Sequence, residues 1–185
     1  FVEENVAAIR EQVGDGQVVC GLSGGVDSSV VAALVHRAVG DRLHCIFVDN
    51  GVLRLNEKES VDHAFRKTLH IDLIVADEAD LFLDRLKGVV DPEKKRRIVG
   101  NLFVRVVEEA ARGPGLDFDT AFLAQGTLRP DLIESGNPDV SGYANRIKTH
   151  HNDVDLIREF RARGRVIETN WDWHKDEVRE VARRL

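Results

Sequence analysis

A short polar segment, residues 23–29, has the residue types that can cradle a phosphate group. It reads Ser-Gly-Gly-Val-Asp-Ser-Ser and lies between two apolar runs, 18–22 and 30–35. Adjacent glycines let the backbone turn tightly and approach a ligand, and the N-terminus of a helix favours bound anions. No lysine follows, so this is not the G-x-x-x-x-G-K-[ST] loop. We name residues 23–29 the phosphate loop; a glycine turn without a ligand is the alternative.

Asp27 is an acid in a loop that is expected to bind anions. A carboxylate beside bare phosphate is unfavourable, but it is well placed if Mg²⁺ lies between them, since hard oxygen ligands suit that ion. The sequence therefore predicts Asp27 as a metal ligand. The alternative is an acidic residue that only stabilises the first turn of a helix.

Two later segments add candidate chemistry. An apolar run ends in Asp-Asn-Gly at 49–51. This segment is expected to hold the backbone of Val48 against an adenine edge, and an ordinary turn is the alternative. Residues 126–151 are long for a structureless connection and predict a lid. This lid has two acids, a lysine and two histidines, which are costly to order without a ligand, although a solvated loop is the alternative. They are Asp131, Glu134, Lys148, His150 and His151.

The elements that position these residues alternate along the chain. Short apolar segments predict strands at 17–22, 43–49, 71–76, 120–124 and 165–168, with amphipathic helices between them. This order predicts an α/β fold, a doubly wound parallel sheet of about five strands with helices on both faces. The carboxyl ends of such strands meet in one crevice, so Ser23, Asp49 and Gly126 are expected to share it.

Composition narrows the class of protein. The 185 residues include 43% hydrophobic and 31% charged residues, with a net charge of −6. This balance is typical of a globular enzyme and argues against a general nucleic-acid or membrane-surface binder. No membrane-spanning apolar run or signal peptide is evident, so a cytoplasmic location is expected. The two cysteines lie in predicted strands and do not indicate a zinc site.

Six segments in order resemble the ATP-pyrophosphatase domain of GMP synthetase, one of the N-type ATP pyrophosphatases. They are 21–29, 48–51, 91–96, 125–135, 147–152 and 174–179. Related enzymes share only the first segment, and the resemblance covers nearly the whole chain. It implies an adenine nucleotide alpha hydrolase-like fold, with ATP and Mg²⁺ as cofactors.

The resemblance implies that xanthosine monophosphate (XMP) attacks the α-phosphate of ATP through its purine 2-oxygen. Ammonia then displaces AMP from adenylyl-XMP and gives GMP. The implied ATP-binding residues are Ser23, Gly24, Gly25, Val26, Asp27, Ser28, Ser29, Val48 and Gly126. The implied catalytic residues are Asp131, Glu134, Lys148, His150 and His151, with Lys148 neutralising phosphate charge. Arg96 matches an XMP-binding position, or is an arginine on a helix surface.

The family also has a glutamine amidotransferase domain or subunit that supplies ammonia, and a C-terminal dimerisation domain. Neither is recognisable in 1–185, which we expect to be one ATP-pyrophosphatase domain of a protein that is a homodimer at full length. Three alternatives stay open: another amide-forming ATP pyrophosphatase such as NAD synthetase, a tRNA thiolase, and a truncated ATP-binding module without full turnover.

Overall fold

The computed structural model describes residues 2–112, 116–126, 155–168 and 175–184. The strands are β1 (Val18–Leu22), β2 (Leu43–Asp49), β3 (Leu73–Asp77), β4 (Phe122–Ala124) and β5 (Val166–Ile167). The helices are α1 (Val2–Val13), α2 (Val26–Val39), α3 (Glu57–His63), α4 (Ala79–Leu86), α5 (Pro92–Arg112), α6 (Asp155–Ala162) and α7 (Lys175–Arg184). A 3₁₀ turn, Gly40–Arg42, follows α2, and a π-helical segment, Ala64–Thr68, follows α3.

The five strands form one sheet in the order β3-β2-β1-β4-β5, and every pair of neighbours is parallel. The predicted α/β fold is confirmed. The chain leaves β1 to one side for β2 and β3 and to the other for β4 and β5. The strand order therefore reverses between β1 and β4, and a crevice opens at such a point beyond the carboxyl ends of the strands.

Strand residues alternate between two apolar cores, one on each face of the sheet, because successive side chains point to opposite faces. One core contains Val18, Cys20 and Leu22 with side chains of α1, α2 and α7. The other contains Val19 and Ile46 with side chains of α4, α5 and α6. The covering helices thus fix the sheet from both sides and leave its carboxyl edge for the site.

The starts of two helices, α5 and α3, carry residue types that commonly cap helices. Asp91 caps α5, since its Oδ1 accepts hydrogen bonds from Glu93 N at 2.8 Å and Lys94 N at 3.3 Å. Asn56, at the start of α3, is also of a residue type that commonly caps helices. Its backbone is left-handed (φ 59°), and its side chain makes no capping hydrogen bond.

The predicted third strand begins too early, because Ile71 N donates to Phe65 O at 2.9 Å and closes the π-helical segment instead of joining β3. The flanking strands β4 and β5 are also shorter than predicted. In the described ranges, no helix combines the length and the apolar character needed to cross a membrane.

Candidate nucleotide site

A cavity of about 560 Å³ lies at the carboxyl edge of the sheet, where the strand order reverses. Its wall combines the phosphate loop, the segments that follow β2 and β4, and one side of α5. The polar lining residues are Ser23, Asp27, Ser28, Asn50, Lys95, Arg96 and Gln125. The apolar ones include Val99, Phe103 and Val107. One cavity therefore joins helix-terminal amides, two cations and an apolar wall.

The phosphate loop turns tightly between β1 and α2. Gly24 adopts a φ of +80°, a conformation that side-chain-bearing residues rarely adopt. The hydroxyl groups of Ser28 and Ser29 both donate to Gly25 O at 3.0 Å. These bonds brace the start of α2, and the first turn of a helix has amide groups without intrahelical partners. An anion in the cavity would meet those amides.

Gly126 packs against the backbone of the phosphate loop. A Cβ on Gly126 would lie 2.9 Å from Ser28 N and 3.0 Å from Asp27 C, so no side chain fits there without a backbone shift. Ser28 itself is only 8% exposed. The end of β4 is therefore seated directly on the first turn of α2, and Gly126 is required for that close approach.

Helix α5 supplies the wall opposite the phosphate loop. Val99, Phe103 and Val107 recur at a spacing of four and therefore share a face of the helix. The fit to β1 is close, because a Cβ on Gly21 would lie 2.9 Å from Phe103 Cε1 and 3.0 Å from Val107 Cγ2. Lys95 and Arg96, in the first turns of α5, bring positive charge to the rim of the cavity.

An ion-pair cluster closes the other side of the edge, at the ends of β2 and β3. Lys58 Nζ lies 3.1 Å from Asp49 Oδ2 and 3.1 Å from Asp77 Oδ2. Burial would raise the pKa of Asp49, but the Gly51 amide and the Lys58 ammonium outweigh that effect and lower the pKa. Hydrogen bonds to Asp49 and Asp77 raise the pKa of Lys58. The cluster fixes the segment after β2, which carries Asn50 into the cavity.

The oxygen donors of the loop fit Mg²⁺. Among the described ranges, no group of three or more His, Cys, Asp or Glu side chains could hold a metal ion. Mg²⁺ usually keeps several waters and is bound by one or two carboxylates together with substrate phosphates. A single Asp27 carboxylate in the wall of a cavity that the phosphate loop lines matches that donor set.

The comparisons with known proteins agree with this geometry. A family model described as NAD synthase matches residues 1–106, more than half of the chain. The chain belongs to the NAD synthase family. A solved member, the NH3-dependent NAD synthetase from Campylobacter jejuni, superposes with a TM-score of 0.67 and 15% identity, over 99% of this chain and 71% of that one. The likeness confirms the adenine nucleotide alpha hydrolase-like fold.

The sequence is much more similar to curated proteins named GMP synthase. It is 50% identical over 185 residues to "GMP synthase [glutamine-hydrolyzing]" from Heliobacterium modesticaldum, covering 100% of this chain and 34% of the relative. It is 52% identical to the protein of the same name from Methylibium petroleiphilum, covering 97% and 34%. These values confirm the resemblance to GMP synthetase. The chain spans about a third of the length of the curated relatives that it matches.

The fold of this family brings seven of the predicted site residues to the cavity. They are Ser23, Gly25, Asp27, Ser28, Val48, Arg96 and Gly126. Among the described residues, Gly24, Val26 and Ser29 are not part of the lining. The predicted catalytic residues Asp131, Glu134, Lys148, His150 and His151 lie outside the described residues, so their roles stay predictions.

Sequence reasoning missed several lining residues, notably Lys95, Phe103 and Gln125. Asp91 and Pro92 mark where α5 begins, so the spacing of four along that helix could have predicted that Phe103 shares a face with Val99 and Val107. Gln125 had no such signal beyond its place after β4. In the described part of the structure, its buried Oε1 accepts no hydrogen bond, so an amide acceptor is available in the cavity wall.

Proposed function

We propose that this chain catalyses the ATP-dependent adenylation of XMP at the purine 2-oxygen and the amination of the adduct to GMP. The observation that carries the proposal is the shared cavity, which is lined both by the phosphate loop at the N-terminus of α2 and by two cations on α5. Such a cavity suits two anionic nucleotides that must meet. The 50% identity to enzymes named GMP synthase selects this chemistry among those that the fold supports.

ATP would bind with its β- and γ-phosphates at the phosphate loop. Negative charge develops on the leaving pyrophosphate, and the amides of the first turn of α2 are aimed at that position without further rearrangement. The α-phosphate would then lie toward the middle of the cavity, where Gln125 and Asn50 supply polar groups. Val48, just before Asn50, would offer its backbone to adenine.

Asp27 would hold Mg²⁺ with the phosphates as the remaining ligands. When bound, this ion supplies charge neutralisation for the departing pyrophosphate. The protein's own contribution is to fix the Asp27 carboxylate on the first turn of α2. That turn is braced by the hydroxyls of Ser28 and Ser29.

XMP would approach from the side of α5. Arg96 would pair with its phosphate or acidic purine, because a guanidinium binds planar anions through two parallel hydrogen bonds. Lys95 lies one residue away on the same rim. The apolar wall of Val99, Phe103 and Val107 would exclude water from the reacting atoms, which protects the adenylyl intermediate from hydrolysis.

The lid 126–151 would complete the site. Lys148 would neutralise phosphate charge, and Asp131, Glu134, His150 and His151 would surround the purine. A glutamine amidotransferase domain or subunit would supply ammonia, and the full-length protein would act as a homodimer in the cytoplasm. These assignments rest on the resemblance of the sequence to GMP synthetase.

The deciding experiment measures pyrophosphate release from ATP and Mg²⁺, with ammonium as the nitrogen donor, in the presence and absence of XMP. The proposal expects release that depends on XMP and formation of GMP. Lys148→Ala should abolish this release without lowering the Tm. Nucleotide binding without release would contradict turnover by this chain and favour an ATP-binding module.

NAD synthesis is the second candidate, since the family model carries that description. The same assay with the deamidated precursor of NAD in place of XMP separates the two reactions. Release that follows the dinucleotide and ignores XMP would overturn the proposal in favour of NAD synthesis.

A further inference from the structure

The Glu57 side chain makes a contact with the phosphate loop that the reaction scheme does not use. Glu57 is the first residue of α3 and is half-buried. Its Oε2 accepts a hydrogen bond from Arg54 N at 2.7 Å. Its Oε1 lies 2.5 Å from the point that a Cβ on Gly24 would occupy. One carboxylate therefore touches both the segment after β2 and the phosphate loop.

The contact falls at the most constrained residue of the loop. Gly24 has a φ of +80°, so its backbone already needs the freedom of glycine. The carboxylate of Glu57 fills the space beside it, which limits how far the loop can move toward α3. A loop held in this way presents its amides to phosphate without first losing conformational freedom.

The carboxylate is mounted on a fixed frame. The next residue, Lys58, binds Asp49 and Asp77 at the ends of β2 and β3. Within α3, Ser60 Oγ donates to Asn56 O at 2.7 Å. Glu57 is thus anchored to the sheet through its neighbour, and its position relative to Gly24 is set by the strands.

An ordinary helix-terminal role explains only half of these contacts. Acidic side chains in a first turn stabilise a helix, and a glutamate can reach back to an amide three residues earlier. That role accounts for Oε2 on Arg54 N. It gives no reason for Oε1 to lie against Gly24.

We propose that Glu57 is a positioning residue that fixes the phosphate loop for the β- and γ-phosphates of ATP, by joining the Arg54 amide to Gly24. The inference rests on the proposed function only in taking ATP as the ligand. It assigns Glu57 no contact with substrate and no step in the reaction.

The test measures Kd for ATP with Mg²⁺ and Kd for AMP by calorimetry. Four variants are compared with the wild type: Glu57→Ala, Glu57→Asp, Glu57→Gln and Glu59→Ala. Gln keeps the length of the side chain and the acceptor for Arg54 N. Asp keeps the first-turn charge but is too short for both contacts. Glu59, on the same helix and exposed, is the matched control.

We expect Ala and Asp at position 57 to weaken ATP binding by about tenfold, the loss of one hydrogen-bonded contact. AMP binding should change by less than about threefold, because AMP lacks the two phosphates that the loop would hold. Gln at position 57 and Ala at position 59 should stay within about threefold of the wild type for both ligands. Circular dichroism of each variant confirms that it is folded.

Equal losses for ATP and AMP would overturn the inference, as would an Asp variant that binds like the wild type. A Gln variant as weak as Ala would also overturn it, since charge and not positioning would then matter. Failure of the proposed function has a different result, namely no XMP-dependent pyrophosphate release by a wild type that still binds ATP. A wild type that does not bind ATP would overturn both.

Discussion

The carboxyl edge of the sheet is built in two different ways on its two sides. At the ends of β1 and β4, backbone packs on backbone, and Gly126 leaves no space for a Cβ beside Ser28 N. At the ends of β2 and β3, side chains make the additional contact, and Lys58 joins Asp49 to Asp77. Direct backbone packing fixes positions to a fraction of an ångström, whereas long charged side chains can readjust. We infer that the ends of β1 and β4 fix the positions of the reacting groups, and that the ends of β2 and β3 stabilise the surrounding segments.

The cationic side chains on the two sides of the edge also differ in how firmly they are paired with carboxylates. Lys58 is engaged by two carboxylates that belong to the strands. Lys95 and Arg96 line the cavity, and the carboxylate that meets Arg96 is Glu93, one turn earlier on the same exposed helix surface. A pair of this exposed kind contributes little stability and is easily exchanged for a ligand. The side with backbone packing therefore also has the cations suited to binding.

The largest expected effect is that of Gly126→Ala. The new Cβ would lie 2.9 Å from Ser28 N and would push the first turn of α2 away from β4. A misplacement of about 1 Å in a site can cost about 100-fold in rate. We expect XMP-dependent pyrophosphate release to fall by about that factor, measured as kcat/KM for ATP.

The control for this substitution is Gly88→Ala. Gly88 has a φ of +74° but no atom within 4 Å of an added Cβ. Its replacement should therefore cost some stability through backbone strain and leave kcat/KM unchanged. Similar activities for the two variants would contradict the view that packing against α2 is what position 126 requires.

Arg96→Gln is expected to have the next largest effect. Loss of a charge-assisted hydrogen bond costs about 1.5–3 kcal/mol, so KM for XMP should rise by about tenfold or more while KM for ATP changes little. Arg97→Gln is the matched control, because Arg97 is exposed and is not part of the cavity lining. Steady-state kinetics with each nucleotide varied in turn separates the two. Equal effects at 96 and 97 would favour a general charge effect.

Gly21→Ala sharpens the distinction between backbone and side-chain neighbours. Its Cβ would meet Phe103 and Val107 side chains at 2.9 and 3.0 Å, and these can shift where backbone cannot. Overpacking of this kind costs about 1–3 kcal/mol of unfolding free energy. We expect a lower Tm and a smaller loss of turnover than for Gly126→Ala. Adding Phe103→Leu should restore part of the Tm; no recovery would place the strain elsewhere.

Much of this arrangement was predictable because it depends on local signals. The strand, glycine turn and helix around residues 18–39 follow from short apolar runs and two glycines. The start of α5 follows from Asp91 and Pro92, and the capping contacts of Asp91 are observed. The parallel order then brings Ser23 and Gly126 to one cavity, as expected for strands that end at the same edge.

The remainder depends on contacts between distant segments. The contact of Glu57 with Gly24 requires the exact placement of α3 on the sheet, which no local pattern encodes. Residues 94–97 are all cationic, and the rotation of α5 about its own axis decides which of them line the cavity. The structure places Lys95 and Arg96 there. Asn56 has the right type for a cap, yet its left-handed backbone means that its side chain does not perform that role.

The smallest effect is expected at the ion-pair cluster, through Lys58→Met. The pKa of Asp49 is lowered in the folded protein, so this residue contributes fully to the free energy of unfolding above about pH 4. That contribution is lost as the pH falls through the pKa that Asp49 has in the folded protein. The pKa of Lys58 is raised in the folded protein, so this residue contributes fully to the free energy of unfolding below about pH 10.4. That contribution is lost as the pH rises through the pKa that Lys58 has in the folded protein. The variant should therefore have a slightly lower Tm than the wild type between these limits. The two curves should converge in acid and in strong base.

Thermal unfolding from pH 2.5 to 11 measures this difference, and Lys67→Met, which removes an exposed lysine, is the control. At neutral pH, the Lys58 variant should keep most of its XMP-dependent pyrophosphate release, because the segment after β2 can readjust when one side chain is lost. A loss as large as that of Gly126→Ala would mean that the two sides of the edge are equally strict. The ends of β2 and β3 would then determine the chemistry as directly as the phosphate loop does.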